Sequence, residues 1–222
     1  MSIADEVRRI ASELPSGVKL VAVSKFHPVE KLMQAYDAGQ RLFGESRVQE
    51  LAQKVGAMPS DVQWHFIGHL QTNKVRQLVP HVHLIHSVDS LKLLQCINKE
   101  AARIDRVVDV LLQVHVAQEV EKFGFAIDEL EALANEGQLA AMPNVRVVGL
   151  MAMATNTDDE AEIRKEFAEA HRAFEYLKQG CYRNNAEFCE LSMGMSDDYH
   201  LAIAEGSTMV RIGTTIFGIR EY

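Results

Sequence analysis

The chain has 222 residues, of which 47% are hydrophobic, and a formal net charge of −8 at pH 7. This length suits one large domain or two small ones. The acidic balance disfavours a general binder of nucleic acid or of membrane surfaces. No segment has the apolar length of a signal peptide or of a membrane span. Three cysteines, without metal-type pairing, indicate free thiols and a reducing cytoplasm.

Apolar runs alternate with amphipathic stretches along the whole chain. An apolar stripe from Ile3 to Leu14 at helical spacing predicts a helix before the first strand. Strands are predicted at 19–25, 41–44, 64–68, 82–86, 107–116, 145–150, 188–191 and 208–212. Helices fill the intervals. The clearest of them is expected to begin with a capping box of Thr157 and Glu160 and to end at Gly180.

Eight strand–helix units predict an α/β fold, namely a single (β/α)8 TIM-type barrel with an extra N-terminal helix. One domain over residues 1–222 is expected. A doubly wound open sheet is the alternative. In both folds ligands bind beyond the carboxyl ends of the strands, and Lys25 has that position.

Lys25 ends a run in which Lys19, Val21, Val23 and Lys25 share one face of the first strand. Partial burial at the rim of the sheet would lower the pKa of the amine and let it attack a carbonyl group. The alternative is that the aliphatic stem covers apolar surface while the ammonium stays in water. The local pattern by itself favours this second interpretation.

A second signal lies near the C-terminus. Arg211 occurs within an apolar run, where a guanidinium needs an anionic or acceptor partner. Gly213 lets backbone approach a ligand, while Thr214 and Ser196 offer donors for a phosphate after strands seven and eight. The alternative is that Ser196 caps a helix and Arg211 pairs with a structural carboxylate.

The histidines do not indicate a metal site. His65 and His69 are placed on a strand and in a turn, and three more histidines lie at 81, 83 and 86. No carboxylate or cysteine converges on either group at ligand spacing. Glycine-rich nucleotide loops and a nucleophile elbow are also missing from the sequence.

Several blocks resemble the pyridoxal phosphate homeostasis protein family, also called the YggS/PROSC type. The resemblance covers nearly the whole chain in order. Its most specific blocks are the Trp-His-Phe-Ile-Gly-His run and the Gly-Ser-Thr-Met-Val-Arg-Ile-Gly-Thr run. The matching segments are 21–25, 43–46 with 49–50, 64–74, 149–153, 191–198 and 206–222.

The resemblance implies a barrel like the N-terminal domain of alanine racemase, with pyridoxal 5′-phosphate held on Lys25 as a Schiff base. The 192–196 loop and Gly213-Thr214 would hold the phosphate. Arg211 would contact the pyridine nitrogen or the phosphate. The cofactor-binding residues expected in addition are Ser46, Met151, Ser192, Met193 and Ser196. Many relatives carry asparagine in place of Ser46.

Racemisation requires an acid/base group on each face of the reacting carbon. The racemase draws its second group, a tyrosine, from a further C-terminal domain of a partner subunit, and this chain ends at Tyr222. We therefore expect a cytoplasmic binding protein for pyridoxal phosphate homeostasis without dedicated catalytic residues. Apo-enzymes that depend on this cofactor are its candidate recipients. The alternatives are a small amino-acid racemase or lyase that uses the cofactor, and a barrel that binds another phosphorylated metabolite without a covalent bond.

Overall fold

The computed structural model describes residues 2–117, 123–139 and 142–218. Eight parallel strands close into a barrel in chain order. The strands are β1 Lys19–Val23, β2 Leu42–Glu45, β3 Gln63–Phe66, β4 Leu84–Val88, β5 Val108–Gln113, β6 Val145–Met151, β7 Glu190–Ser192 and β8 Met209–Ile212.

Helices surround the barrel. They are α1 Ile3–Glu13, α2 Val29–Asp37, α3 Val48–Val55, α4 Val75–Leu78, α5 Leu91–Ala102, α6 Ile127–Asn135, α7 Glu160–Gln179, α8 Tyr199–Ala204 and α9 Thr214–Phe217. A 3₁₀ turn, Thr72–Lys74, precedes α4. In the described ranges, none of these helices combines the length and the apolar composition that a bilayer crossing needs.

The barrel prediction is confirmed, and the open-sheet alternative is wrong. Pairing of β1 with β8 closes the sheet, with Lys19 opposite Met209 and Ala22 opposite Ile212. The N-terminal helix is also confirmed, because α1 buries Val7 and Ile10. Predicted strand ends differ by one to a few residues, since a short apolar run has no sharp local stop signal.

The predicted start of α7 is wrong. Its cap is Asp159, whose side chain accepts hydrogen bonds from the backbone N–H groups of Ala161 and Glu162. Thr157 instead accepts a hydrogen bond from the Asp159 N–H in the preceding turn. The predicted end at Gly180 is confirmed. Several polar residues in a row can cap a helix, and the path of the incoming chain decides between them.

The hydrophobic core has two layers. The larger layer lies between the sheet and the helices. The smaller one lies inside the barrel and consists of Val21, Leu84, Leu111, Val148, Met151 and Met209. Barrel interiors are usually filled by branched apolar side chains. This interior also buries His65, His86, Ser192 and Arg211, and each of these polar groups needs a partner.

Gly149 sets how closely β6 and β7 approach. A Cβ atom at this position would lie 1.7 Å from the carbonyl oxygen of Glu190. A side chain therefore cannot be accommodated there without separating the two strands. The same stretch of β6 shifts register against β5, between Val110 and Leu111 of the partner strand.

Candidate functional site

The carboxyl end of the barrel gathers most of the residues that the sequence singled out. Lys25 follows β1, Ser46 follows β2, Met151 ends β6, Ser192 ends β7 and Gly213 follows β8. Strands β6, β7, β8, β1 and β2 are consecutive neighbours around the closed sheet. These residues therefore lie along one continuous arc at the same end of the barrel.

Lys25 is half-buried in a tight turn after β1. The turn is closed by a hydrogen bond of 3.1 Å from the His27 N–H to the Ser24 carbonyl oxygen. Phe26 has a φ of 68°, a left-handed conformation that a residue with a side chain adopts at a cost. Its N–H donates to Glu50 Oε1 at 2.6 Å. Glu50 on α3 therefore holds the turn that presents Lys25.

The buried ammonium group of Lys54 also holds the turn after β1 in place. Lys54 is 6% exposed, and its Nζ donates to the Ser24 carbonyl oxygen at 2.9 Å. It also donates to Glu45 Oε1 and to Glu50 Oε1, both at 2.7 Å. Glu45 Oε1 accepts a further hydrogen bond of 2.6 Å from the Ser24 hydroxyl. Lys54 thus ties the ends of β1 and β2 to α3.

Sequence reasoning missed Lys54 and Glu45. One signal was present, because Glu50 and Lys54 are four residues apart and share a helix face. Glu45 lies within a sequence block that resembles the family, but the sequence does not show that its side chain is buried. Desolvation raises the pKa of Glu45, and the neighbouring Lys54 ammonium opposes that rise.

Arg211 lies inside the barrel and is 4% exposed. Its Nη1 donates to the Ser192 carbonyl oxygen at 2.9 Å and to Ser192 Oγ at 2.6 Å, and its Nη2 donates to the Ala152 carbonyl oxygen at 3.1 Å. These partners are two carbonyls and a hydroxyl, so within the described ranges Arg211 forms no ion pair with the structural carboxylate that was considered for it. Burial lowers the pKa of Arg211 to about 10, which leaves the group cationic at neutral pH.

A row of buried hydrogen bonds continues from Arg211 through the barrel. Ser192 Oγ lies 3.1 Å from His86 Nδ1, and His86 Nε2 lies 2.8 Å from His65 Nδ1. We call Arg211, Ser192, His86 and His65 the interior row. Desolvation lowers the pKa of His65 to about 3 and that of His86 well below its usual value. Both imidazoles are therefore neutral at pH 7.

The interior row was not expected from the sequence, which presented the histidines only as separate groups. Its single local signal is the two-residue alternation that places His65 and His86 on inward positions of neighbouring strands. Among the residues described here, no group of three or more His, Cys, Asp or Glu side chains could hold a metal ion. The cysteines at 96, 181 and 189 are free thiols.

Folding stability is expected to fall as the pH decreases from about 6.5, the ordinary pKa of an unfolded histidine. The folded pKa of His65 is about 3, so the unfolded state binds more protons between these values. The loss should approach about 1.4 kcal/mol per pH unit for each buried histidine. Urea unfolding at several pH values measures it. His65→Asn should give a shallower slope than the unmodified protein, and equal slopes would contradict this account.

Two of the predicted phosphate-loop residues use their donors within the protein. The Ser192 hydroxyl is bonded to Arg211 and His86. The Met193 N–H donates to the Met209 carbonyl oxygen at 3.1 Å, and the Met193 side chain is buried in the core between sheet and helices. Ser192 and Met193 therefore position the loop, and their own hydrogen-bond donors are engaged within the protein.

The loop after β7 turns sharply at Gly194, which has a φ of 93°. Its carbonyl oxygen accepts the Arg211 N–H at 3.0 Å, which joins this loop to β8. A Cβ atom on Gly194 would lie 2.7 Å from the Ala202 Cβ. Ser196 is half-buried and does not cap α8, because the cap position is Asp198.

The loop after β8 presses against the end of β1. A Cβ atom on Gly213 would lie 3.1 Å from the Val23 Cβ and 3.2 Å from the Val23 carbonyl oxygen. Gly213 precedes α9, and the first N–H groups of a helix have no partner within it. The N–H groups of Thr214 and Thr215, two and three residues beyond the end of β8, therefore have no acceptor within α9.

Comparison with known proteins agrees with this geometry. The family model described as alanine racemase, N-terminal domain, matches residues 1–221. The chain is 41% identical to the pyridoxal phosphate homeostasis protein of Pasteurella multocida, over 93% of this chain and 88% of that protein. It is 39% identical to the protein of the same name from Escherichia coli K12, over 94% and 88% of the two chains.

Solved structures give the same result. PipY of Synechococcus elongatus PCC7942 without PLP has a TM-score of 0.92 and 40% identity, over 98% of this chain and all (100%) of that one. PipY with PLP bound has a TM-score of 0.87 and 39% identity. Alanine racemase of Clostridium difficile 630, at 15% identity and a TM-score of 0.80, shares the fold over 57% of its own length. This chain belongs to the family of pyridoxal phosphate homeostasis proteins, whose fold is that of the alanine racemase N-terminal domain.

Proposed function

We propose that this protein binds pyridoxal 5′-phosphate at the carboxyl end of its barrel and serves the homeostasis of that cofactor. The proposal rests on one observation: the amine of Lys25 and two loops that offer hydrogen-bond donors lie at the same end of the barrel. Lys25 follows β1, the loop at 213–215 follows its neighbour β8, and the loop at 194–196 follows β7, the next strand beyond β8. The names of the relatives and the PLP-bound structure of PipY support it.

The residues present fit the chemical groups of the cofactor. An aldehyde requires an amine, and the Lys25 turn is held in place by Glu50 and Lys54. A phosphate dianion requires N–H donors, which the backbone of Thr214 and Thr215 offers. We propose that Lys25 forms a Schiff base with the aldehyde and that the Ser196 and Thr214 loops hold the phosphate.

Arg211 is better placed for the pyridine ring than for the phosphate. Its guanidinium bonds to Ser192 and Ala152 inside the barrel, whereas the donor loops lie beyond the strand ends. A cation on the ring nitrogen disfavours protonation there, and an unprotonated ring is a weaker electron sink. This supports a protein that holds the cofactor without a dedicated catalytic activity.

The proposal extends to how the protein is used. The relatives are named for homeostasis of the cofactor and not for a reaction, which supports a carrier or buffer. Its recipients would be apo-enzymes that depend on pyridoxal phosphate. We propose one barrel domain over residues 1–222. The free thiols support use in a reducing compartment such as the cytoplasm.

Reductive trapping tests this function. Protein mixed with pyridoxal phosphate should gain a visible absorption band. Borohydride should then fix one cofactor per chain on the peptide that contains Lys25. Pyridoxamine 5′-phosphate, which lacks the aldehyde, is the control and should leave no adduct. The proposal is wrong if no band forms, or if the label is spread over exposed lysines such as Lys92 and Lys99.

A further inference from the structure

His86 is a buried polar residue to which the proposed cofactor site gives no role. Its side chain is fully buried (0% exposed) and lies on β4, between Ser192 and His65 of the interior row. Burying an imidazole is costly unless its nitrogens are hydrogen-bonded. Both ring nitrogens of His86 have such partners, so the effect of His86 is to be found in what it does to those partners.

Arg211 sets the direction of every hydrogen bond in the interior row. A guanidinium only donates, so Ser192 Oγ accepts from Arg211 Nη1 at 2.6 Å. The Ser192 hydroxyl then donates to His86 Nδ1 at 3.1 Å, and the His86 Nε2–H donates to His65 Nδ1 at 2.8 Å. Among the described residues this leaves one atom of the row without a partner, His65 Nε2. With the directions reversed, the Ser192 hydroxyl hydrogen would lack an acceptor as well.

The surroundings also exclude a His86 that carries a proton on both ring nitrogens. Desolvation, together with the neighbouring His65 and the Arg211 cation, lowers the pKa of His86 well below its usual value. Neutral His86 with its proton on Nε2 therefore faces Ser192 as an acceptor.

Arg211 uses three of its five N–H groups within the protein. Nη1 donates to the carbonyl oxygen and to the hydroxyl of Ser192, and Nη2 donates to the Ala152 carbonyl oxygen. The Nε–H and one Nη2–H have no acceptor among the described residues, so these donors are left for a ring nitrogen. The three protein contacts set the orientation of the guanidinium. The shortest of them, to Ser192 Oγ, is the one that His86 holds in place.

We infer that His86 is a positioning residue for the cofactor: it fixes the Ser192 hydroxyl as an acceptor and thereby orients Arg211 toward the pyridine nitrogen. The inference rests on the proposed cofactor binding and extends it to a residue that acts only through Ser192. A guanidinium in that orientation disfavours protonation of the ring nitrogen, because two positive charges repel each other. Without the acceptor on His86, the Ser192 hydroxyl turns away, Arg211 tilts, and the ring nitrogen binds a proton more readily.

Nuclear magnetic resonance of the ring nitrogen tests this inference. Pyridoxal phosphate labelled with ¹⁵N in its ring is fixed to the full chain by borohydride, and the nitrogen signal is titrated with pH. At pH 7 the unmodified protein should give the signal of an unprotonated nitrogen. In His86→Leu the midpoint of the titration should rise by about one pH unit, which is the tenfold gain in proton affinity expected for one lost hydrogen bond. The trapped amount should stay at one cofactor per chain.

Two further variants separate the acceptor from the bulk of the histidine. In His86→Asn the amide oxygen replaces Nδ1 as acceptor for the Ser192 hydroxyl, so the midpoint should return to that of the unmodified protein. Ser192→Ala removes the link itself and should raise the midpoint as His86→Leu does. Combining His86→Leu with Ser192→Ala should cause no further rise, because both changes break the same connection to Arg211. Should His86→Leu fail to fold, the contrast between His86→Asn and Ser192→Ala gives the same test.

A measurement without cofactor tests the hydrogen-bond directions. Labelling with ¹⁵N-histidine should show His86 with its proton on Nε2 and with Nδ1 as an acceptor at pH 7. The control variant His81→Asn changes an exposed histidine and should leave both the His86 signals and the ring nitrogen as they are in the unmodified protein.

Three results would overturn the inference: a proton on His86 Nδ1, an unchanged midpoint in both His86→Leu and Ser192→Ala, or additive shifts in the double variant. In each case, cofactor that is still trapped on Lys25 leaves the proposed function intact. Failure to trap any cofactor in the unmodified protein would instead contradict the proposed function, and this inference with it.

Discussion

Lys25→Ala is expected to abolish the covalent cofactor adduct while the barrel stays folded. Lys25 supplies the proposed amine from a half-buried position at the rim, so its removal eliminates the nucleophile and little of the core. Borohydride trapping followed by mass measurement should fall from one cofactor per chain to none. The loop donors around Thr214 remain, so weaker, non-covalent binding of pyridoxal phosphate should persist and be measurable by calorimetry.

Two controls make this result specific. Lys25→Arg keeps the positive charge but cannot form the adduct, since guanidinium stays protonated, and should behave like Lys25→Ala. Lys92→Ala removes an exposed lysine of α5 and should trap as much cofactor as the unmodified protein. An adduct that survives in Lys25→Ala at the same stoichiometry would show that another residue carries the cofactor.

Lys54→Met is expected to cause the largest loss of stability among single changes near the site. The substitution leaves the Glu45 carboxylate, which is fully buried (0% exposed), without its cation. Removing one partner of a buried ion pair costs about 3–5 kcal/mol. Urea unfolding at pH 7 measures the loss. Because Lys54 also bonds to the Ser24 carbonyl oxygen, the Lys25 turn should loosen and adduct formation should slow.

The matched control also removes the negative charge of Glu45, which Lys54→Met leaves without a partner. Lys54→Met combined with Glu45→Gln should recover part of the lost stability, because a neutral amide is less costly to bury than an unpaired carboxylate. Recovery of adduct formation should be smaller, since the contact to Ser24 is still missing. A loss below about 1 kcal/mol in the single variant would contradict the expectation that Glu45 stays charged and unpaired in the absence of Lys54.

Local patterns predicted the order of elements well. The stripe of α1 and the end of α7 at Gly180 follow from helical periodicity and from helix-end preferences, which are properties of neighbouring residues. The start of α7 was misplaced by the same reasoning, because Thr157 and Asp159 are both suitable caps and only the path of the chain selects Asp159.

The chain by itself also determined that Lys25 and the Gly213-Thr214 segment lie at one end of the fold. In a parallel barrel all strands run in the same direction, so residues that follow strands meet at the carboxyl end. This inference needs only the strand count and the position of a residue after its strand. It does not need any side-chain contact.

Only the tertiary structure decided how the buried polar groups are paired. His86 and Ser192 are 106 residues apart, and Arg211 bonds to a carbonyl 59 residues away. Glu45, Lys54 and the Lys25 turn meet only when β1, β2 and α3 are packed together. No local pattern predicts such partners. A buried polar group needs a hydrogen-bond partner, and packing of distant segments in the closed barrel decides which acceptor lies within reach. The sequence thus determined the scaffold and the end at which ligands bind, while closure of the barrel decided the polar network inside it.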